Sequence, residues 1–484
     1  MTTDSGSIQR RYEYLKSLDD IQTIRDLTKD GIRDILRKHT SDHSLEIIKC
    51  SELEDMSGLN DAFNSTICSM KVEVQRSSEN GETIYHEYNF VIKSPPRMSF
   101  VRQIHKLTRP FYNEVTWYLD LIYQADLANG KGCMDHILPK CYYAYSTTSS
   151  SSSSTLCEAK CPWFCYIPCK SSEDGVLILE NIKLRPGRAY SMYDKKRPLP
   201  LDHVRVVLTE LAHFHGKWLR WKYMAQNSLL KPASEAWSWK TFELAFNTQK
   251  RIPLIIYKQV SNVAKKTTIK ILKKKGDEEE NIRKCRRFFD HTAMDWLKNY
   301  MSRPDSPINT LCHGDFWSNN ILFSYDEETG NVKDLNIIDY QLLNYGHPCY
   351  DLVYLLYLNT DLEFRDKHLK EVLTLYYDTF YPYIKETIGS EAEIAKNNEF
   401  KYPFDDFMID FNWHRSVGFT TACSVLPNVL STSPLDLETT GIFALKELQR
   451  KQEREMNDET NPATMEIRRR IIGMVHEMTR DGVI

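Results

Sequence analysis

One stretch restricts the folds open to this 484-residue chain more than any other: His313-Gly314-Asp315-Phe316-Trp317-Ser318-Asn319-Asn320, followed by an apolar run ending at Ile337-Ile338-Asp339-Tyr340-Gln341. Between Asn320 and Asp339 lie two apolar segments, Ile321-Leu322-Phe323 and Leu335-Asn336-Ile337-Ile338. They are separated by Asp326-Glu327-Glu328-Thr329-Gly330-Asn331, which is turn chemistry. Folding about Thr329-Gly330 makes two antiparallel strands and brings Asn320 and Asp339 to one open end. Asp315 stands just upstream, so three polar side chains are expected at one place.

Phosphoryl transfer from ATP needs such a set: a carboxylate to hold the attacking hydroxyl, and oxygen ligands to fix magnesium against the phosphates. The protein kinase catalytic loop uses an Asp, an Asn five residues later, and a second Asp downstream. Asp315, Asn320 and Asp339 follow that order and that first spacing. Hard Mg²⁺ takes oxygen ligands and keeps waters, so Asn320, Asp339 and the nucleotide phosphates suffice as its anchors. Singly, each residue reads as a turn or a strand-end carboxylate; the ordered triple with hairpin spacing favours a kinase-type site.

Leu311-Cys312-His313-Gly314-Asp315 through Asn320, Ile338-Asp339-Tyr340-Gln341, and Gly346-His347-Pro348-Cys349-Tyr350-Asp351-Leu352 together resemble the aminoglycoside phosphotransferase and choline kinase group. More narrowly, His-Gly-Asp-Phe-Trp-Ser-Asn-Asn-Ile-Leu-Phe is similar to the ecdysteroid kinase-like family. The resemblance implies an α+β, two-lobed, protein-kinase-like fold with a small β-rich N-lobe and a larger, mainly helical C-lobe. It also implies transfer of the γ-phosphoryl group of ATP to a hydroxyl of a small molecule, with Asp315 catalytic and His313 holding the loop by hydrogen bonding.

Length and composition fit two lobes with substantial cores, at 41% hydrophobic and 27% charged residues. A net charge of −3 gives no general reason to expect nucleic acid as a partner. The polar start, Met1-Thr2-Thr3-Asp4-Ser5-Gly6-Ser7, lacks a secretory core, and runs such as Leu352 to Leu358 are too short to span a bilayer. A cytoplasmic enzyme with mostly reduced cysteines is the expectation.

Along the chain, residues 1–44 read as a helical extension, with Leu15, Leu18, Ile21, Ile24, Leu27, Ile32 and Leu36 at helical spacing and Asp30-Gly31 as a candidate break. Residues 45–179 read as the N-lobe. A small-residue turn, Gly58 to Thr66, precedes an alternating strand, and the resemblance puts Ser65 there as a phosphate clamp. Lys93 ends the strand Tyr88-Asn89-Phe90-Val91-Ile92, and Glu114 follows on a helix with Phe111, Val115, Tyr118 and Leu119. An ammonium held by a carboxylate is a directed cation for a phosphate.

The tract Ser149 to Ser154 predicts an inserted loop near 146–156. Cys157, Cys161, Cys165 and Cys169 recur every four residues, but Pro162 and Pro168 within one continuous segment argue against a zinc site and for cysteine as a small apolar residue. Val176 to Ile182 is similar to the family's hinge, whose backbone at Glu180, Asn181 and Ile182 is expected to meet adenine. Residues 180–484 then form the hinge and helical C-lobe, with Val204, Val207, Leu208, Leu211, Ala212, His215, Trp218 and Leu219 on one apolar face. Asp351 reads as the cap of the helix Leu352 to Leu358. Phe316, Trp317, Tyr340, Trp413 and His414 are candidates for lining an acceptor pocket.

The expected acceptor is a small, lipophilic alcohol such as an ecdysteroid or a xenobiotic. A choline or ethanolamine kinase is the rival reading, and a catalytically silent binding protein the alternative from another class. A protein kinase is disfavoured because the glycine-rich loop and the Ala-Pro-Glu segment are absent.

Overall fold

The computed structural model describes residues 21–56, 65–78, 80–96, 109–147, 174–230, 242, 246, 254–277, 279–292, 306–389, 401–430, 458 and 460–484. The chain divides into two compact units, Met1–Tyr123 with Pro139–Gly187, and Gln124–Leu138 with Arg188–Ile484. The serine tract and Cys157, Cys161, Cys165 and Cys169 lie outside the described residues.

The first unit is a sheet with helices. Helix α1 (Lys29–Thr40) starts at Thr28, whose hydroxyl accepts the Gly31 amide at 3.1 Å. Asp30-Gly31 therefore sits in the first turn rather than between helices. The capping threonine sets the boundary, and the break falls at Leu27, before it. Ile32, Ile35 and Leu36 repeat at helical spacing and bury into one core with Val72, Phe90, Ile92 and Ile178.

Strands β1 (Glu46–Cys50), β2 (Glu54–Asp55), β3 (Thr66–Ser77), β4 (Thr83–Ser94), β5 (Cys141–Ser146) and β6 (Gly175–Glu180) make an antiparallel sheet of order β1-β3-β4-β6-β5, with β2 also on β3. On β3 the residues Cys68, Met70, Val72 and Val74 alternate inward, the pattern of a half-buried strand. Helix α2 (Pro110–Thr116) is almost wholly buried, and its proline at the first position loses no helical hydrogen bond. Helix α3 (Ile122–Asn129) follows through one π-type turn, and from Gln124 onward it is assigned to the second unit.

The second unit is mainly helical. After the short strand β7 (Ser191–Met192) come α4 (Leu201–Gln226), α5 (Leu254–Lys275) and α6 (Glu279–Arg287). Val204, Val207, Leu208, Leu211, Ala212, His215, Trp218 and Leu219 of α4 are all buried, the face the periodicity predicts. Strands β8 (Thr310–Cys312), β9 (Ile321–Tyr325), β10 (Val332–Ile337) and β11 (Asn344–Gly346) then form two small sheets, β10-β9-β7 and β11-β8.

Helix α7 (Cys349–Asn359) is buried at every position, which explains its near-continuous apolar sequence. It is followed by α8 (Leu362–Ile384), α9 (Phe404–Val429) and α10 (Pro462–Arg480). Asn461 caps α10 by accepting the Ala463 amide at 2.9 Å. Among the described residues no helix is long and apolar enough to cross a membrane. A β-rich unit followed by a mainly helical one is the α+β organisation expected.

Candidate active site

In the second unit, β9 and β10 pair antiparallel with Ile337 opposite Ile321. The Ile338 amide donates to the Asn320 carbonyl at 2.9 Å, so the hairpin closes with Asn320 and Asp339 at its open end. Strand β8 delivers His313-Gly314-Asp315 to the same place. Asn320 Nδ2 donates to the Asp315 backbone oxygen at 2.8 Å and to Asp315 Oδ2 at 3.0 Å. With both amide protons spent on Asp315, the remaining polar atom of the side chain is Oδ1, a hard donor for a divalent cation.

Asp339 occupies the left-handed region, at φ 69° and ψ 62°. A non-glycine residue there costs of order 1 kcal/mol, and such residues gather at functional sites. Its charge acts on Asp315. Burial pushes the Asp315 carboxyl above its usual range; Tyr354 and Asn320 as donors and His313 oppose this, and Asp339 adds to it. An amide oxygen and two carboxylates form the all-oxygen donor chemistry that suits Mg²⁺, so Asn320 and Asp339 fit the ion the resemblance implies.

The loop is held from three sides. His313 accepts the Asp315 amide on Nδ1 at 3.4 Å and, through Nε2, donates to the Ile338 carbonyl at 3.1 Å, tying the loop to the strand that ends at Asp339. Asp351, expected as a helix cap, instead turns its carboxylate to the loop: Oδ2 accepts the His313 amide at 2.7 Å and Oδ1 the Gly314 amide at 3.0 Å. It does so because these two amides are buried and have no strand opposite them. Behind it, His215 lies 3.1 Å from Asp351 Oδ2 and 2.7 Å from the Tyr376 hydroxyl. Tyr350 donates to the Gly314 carbonyl at 3.1 Å and Tyr354 to Asp315 Oδ1 at 2.6 Å.

Neither Asp351 nor Tyr354 is legible as a loop contact, since Asp351 reads as a helix cap and Tyr354 as part of an apolar helix. Of the pocket candidates, Phe316, Tyr340 and His414 are fully buried and Trp317 nearly so, while Trp413 is half-buried. A second buried group, His347, Cys349 and His414, sits in its own network: His347 Nδ1 accepts the Cys349 amide at 3.2 Å, and His414 Nδ1 donates to the Asp410 carbonyl at 2.7 Å.

The first unit carries the other predicted residues. Lys93 Nζ lies 2.8 and 3.0 Å from the two carboxylate oxygens of Glu114, and both residues are buried. Strand β4 places Lys93 opposite Ile67 on β3 and Leu177 on β6, while α2 presents Glu114. Ser65 is buried one residue before Thr66, which pairs with Ser94, so it stands at the Lys93 end of the sheet.

At the end of β6 the Glu180 carboxylate is gripped by Arg185, at 2.8 and 2.7 Å. The Glu180 amide donates to the Lys140 carbonyl and the Asn181 amide to the Asn89 carbonyl, each at 2.8 Å. Asp315, Asn320 and Asp339 are gathered in one unit, and Lys93, Glu114, Ser65 and the Glu180 to Ile182 segment in the other.

Comparison with known proteins finds that the model of the ecdysteroid kinase-like family matches residues 60–387. No curated protein matches the chain. Solved structures that it resembles include the GDP complex of wild-type aminoglycoside 2'-phosphotransferase-IIIa, at 12% identity and TM-score 0.37, over 88% of this chain and 99% of that one. An ethanolamine kinase from Plasmodium vivax matches at 13% identity and TM-score 0.33, over 94% and 95% of the two chains. A choline kinase from Cryptosporidium parvum Iowa II matches at 10% identity and TM-score 0.37, over 94% and 98%.

Proposed function

The chain belongs to the ecdysteroid kinase-like family, and from that premise we propose that it moves the γ-phosphoryl group of ATP to a hydroxyl of a small, lipophilic acceptor. The observation that carries this reading is the joining of Asn320 to Asp315 at the mouth of the β9-β10 hairpin, with Asp339 beyond the next strand. Asp315 orients the acceptor alcohol and takes its proton as the bond to phosphorus forms. Asn320 and Asp339 would hold Mg²⁺, which would supply positive charge to offset that of the nucleotide phosphates. Lys93, kept in place by Glu114, directs its ammonium at phosphate oxygens, and Ser65 contributes a phosphate contact. The backbone from Glu180 to Ile182 takes the adenine.

The acceptor is best sought among alcohols of ecdysteroid type. Incubating the purified chain with MgATP and a panel of ecdysone, choline, ethanolamine and simple xenobiotic alcohols should give a phosphorylated product. Asp315→Asn should lower turnover by about two decades or more while nucleotide binding persists. Equal turnover in the variant would remove Asp315 from the chemistry.

A further inference from the structure

We propose that Tyr354 is a positioning residue for Asp315, locking the carboxylate in the orientation from which it meets the acceptor alcohol, a role that rests on the phosphotransfer reading above. The phenol donates to Asp315 Oδ1 at 2.6 Å, within the range of a charge-assisted O–H···O⁻ bond. On the opposite side Asn320 Nδ2 donates to Oδ2 at 3.0 Å. The two donors come from different elements, α7 and the turn that opens β9. A carboxylate held at one oxygen still rotates about its Cβ–Cγ bond. Held at both, it rotates only by breaking one of the bonds. Each oxygen accepts two hydrogen bonds, so a lone pair remains on each, aimed in a fixed direction, for the alcohol.

The placement of Tyr354 follows from the helix. Tyr350, Asp351 and Tyr354 share one face of α7, and all three turn polar atoms to the loop: Tyr350 to the Gly314 carbonyl, Asp351 to the His313 and Gly314 amides, Tyr354 to Asp315. Leu352, Val353, Leu355 and Leu356 of the same helix are fully buried. The Tyr354 ring packs against Tyr350, with centroids 5.9 Å apart. A phenylalanine would keep that packing, so the hydroxyl is what distinguishes tyrosine at this position. During transfer the alcohol oxygen bonds to the γ-phosphorus as the bond to the ADP oxygen breaks, and the alcohol proton goes to Asp315. Tyr354 keeps its own proton throughout and acts only through the carboxylate it holds.

The test compares wild type, Tyr354→Phe and Asp315→Asn, with MgATP and ecdysone, and with MgATP and water alone as acceptor. Tyr354→Phe should lower kcat by about 10- to 100-fold, the scale of a misaligned catalytic group, with the KM for ATP and the thermal midpoint unchanged. Unchanged kcat in Tyr354→Phe beside an inactive Asp315→Asn would overturn the positioning role and leave the phosphotransfer reading standing. A joint fall of kcat and thermal midpoint would also overturn it, assigning the phenol to stability alone. Absence of wild-type turnover with every acceptor of the panel above, or turnover that Asp315→Asn leaves unchanged, would instead overturn the phosphotransfer reading itself.

Discussion

Lys93 Nζ donates to both carboxylate oxygens of Glu114, at 2.8 and 3.0 Å, in a pair whose side chains are 7% and 0% exposed. Breaking a buried pair from one side leaves an uncompensated charge, which costs about 3–5 kcal/mol, whereas removing both charges costs far less. Lys93→Met should therefore destabilise the chain by that order in urea unfolding. The double variant Lys93→Met/Glu114→Gln should recover much of the loss. Both variants should lose turnover, because the ammonium is gone in each. A double variant no more stable than the single one would mean that the pair is not an isolated electrostatic unit.

This pair was legible in the sequence because each partner has a local signature: a lysine ending an apolar strand, and an acid among apolar residues at helical spacing. The Asn320–Asp339 hairpin was legible for the same reason, since its turn and both strands are contiguous. Asp351 and Tyr354 were not. Their contacts with Gly314 and Asp315 span 37 and 39 residues, and nothing local in the run from Leu352 to Leu358 marks a side chain that faces a loop. Asp30-Gly31, the candidate break between helices, lies inside the first turn of α1, because the threonine cap three residues before Gly31 is a stronger signal than glycine as a breaker.

Asp339 permits a test that separates charge from backbone. Its left-handed torsions, φ 69° and ψ 62°, are tolerated by asparagine but strain alanine. Asp339→Asn should keep the fold and weaken Mg²⁺-dependent ATP binding, measured by calorimetry with and without the ion. Asp339→Ala should show the same binding loss together with about 1–2 kcal/mol of lost stability. Mg²⁺-dependent binding that Asp339→Asn leaves intact would take this residue out of the cation site.

Glu180 should give part of the acid sensitivity of the first unit. Burial raises its pKa, but the paired hydrogen bonds and charge of Arg185, with the Lys140 amide, outweigh burial and hold the carboxyl below its usual value. A depressed folded-state pKa contributes stability that is fully present above the unfolded value, about 4.3, and is lost as pH falls through the folded one. The stability advantage of wild type over Glu180→Gln should thus be constant near neutrality and shrink below about pH 4.3. Chemical denaturation at stepped pH reads this directly, and an advantage independent of pH would show that the Arg185 contact does not bias the protonation of Glu180.

Gly314 couples the catalytic loop to the sheet behind it. At φ +86° its backbone is left-handed, and a Cβ there would stand 1.9 Å from the Leu342 carbonyl oxygen and 2.7 Å from Asn344 Nδ2. The Leu342 carbonyl cannot easily retreat, because Asn344 begins the strand paired with Cys312. Gly330, at φ +70° in the β9-β10 turn, has nothing within 4 Å of the same position and serves as the control. Gly330→Ala should cost about 1–2 kcal/mol, the torsional penalty alone, and leave turnover unchanged. Gly314→Ala should cost more than that and abolish turnover, since relieving the clash moves His313 and Asp315 away from Asp351 and Asn320. Equal stability losses in the two variants, measured by urea unfolding, would place the constraint in the torsion and not in the packing of the loop against Leu342.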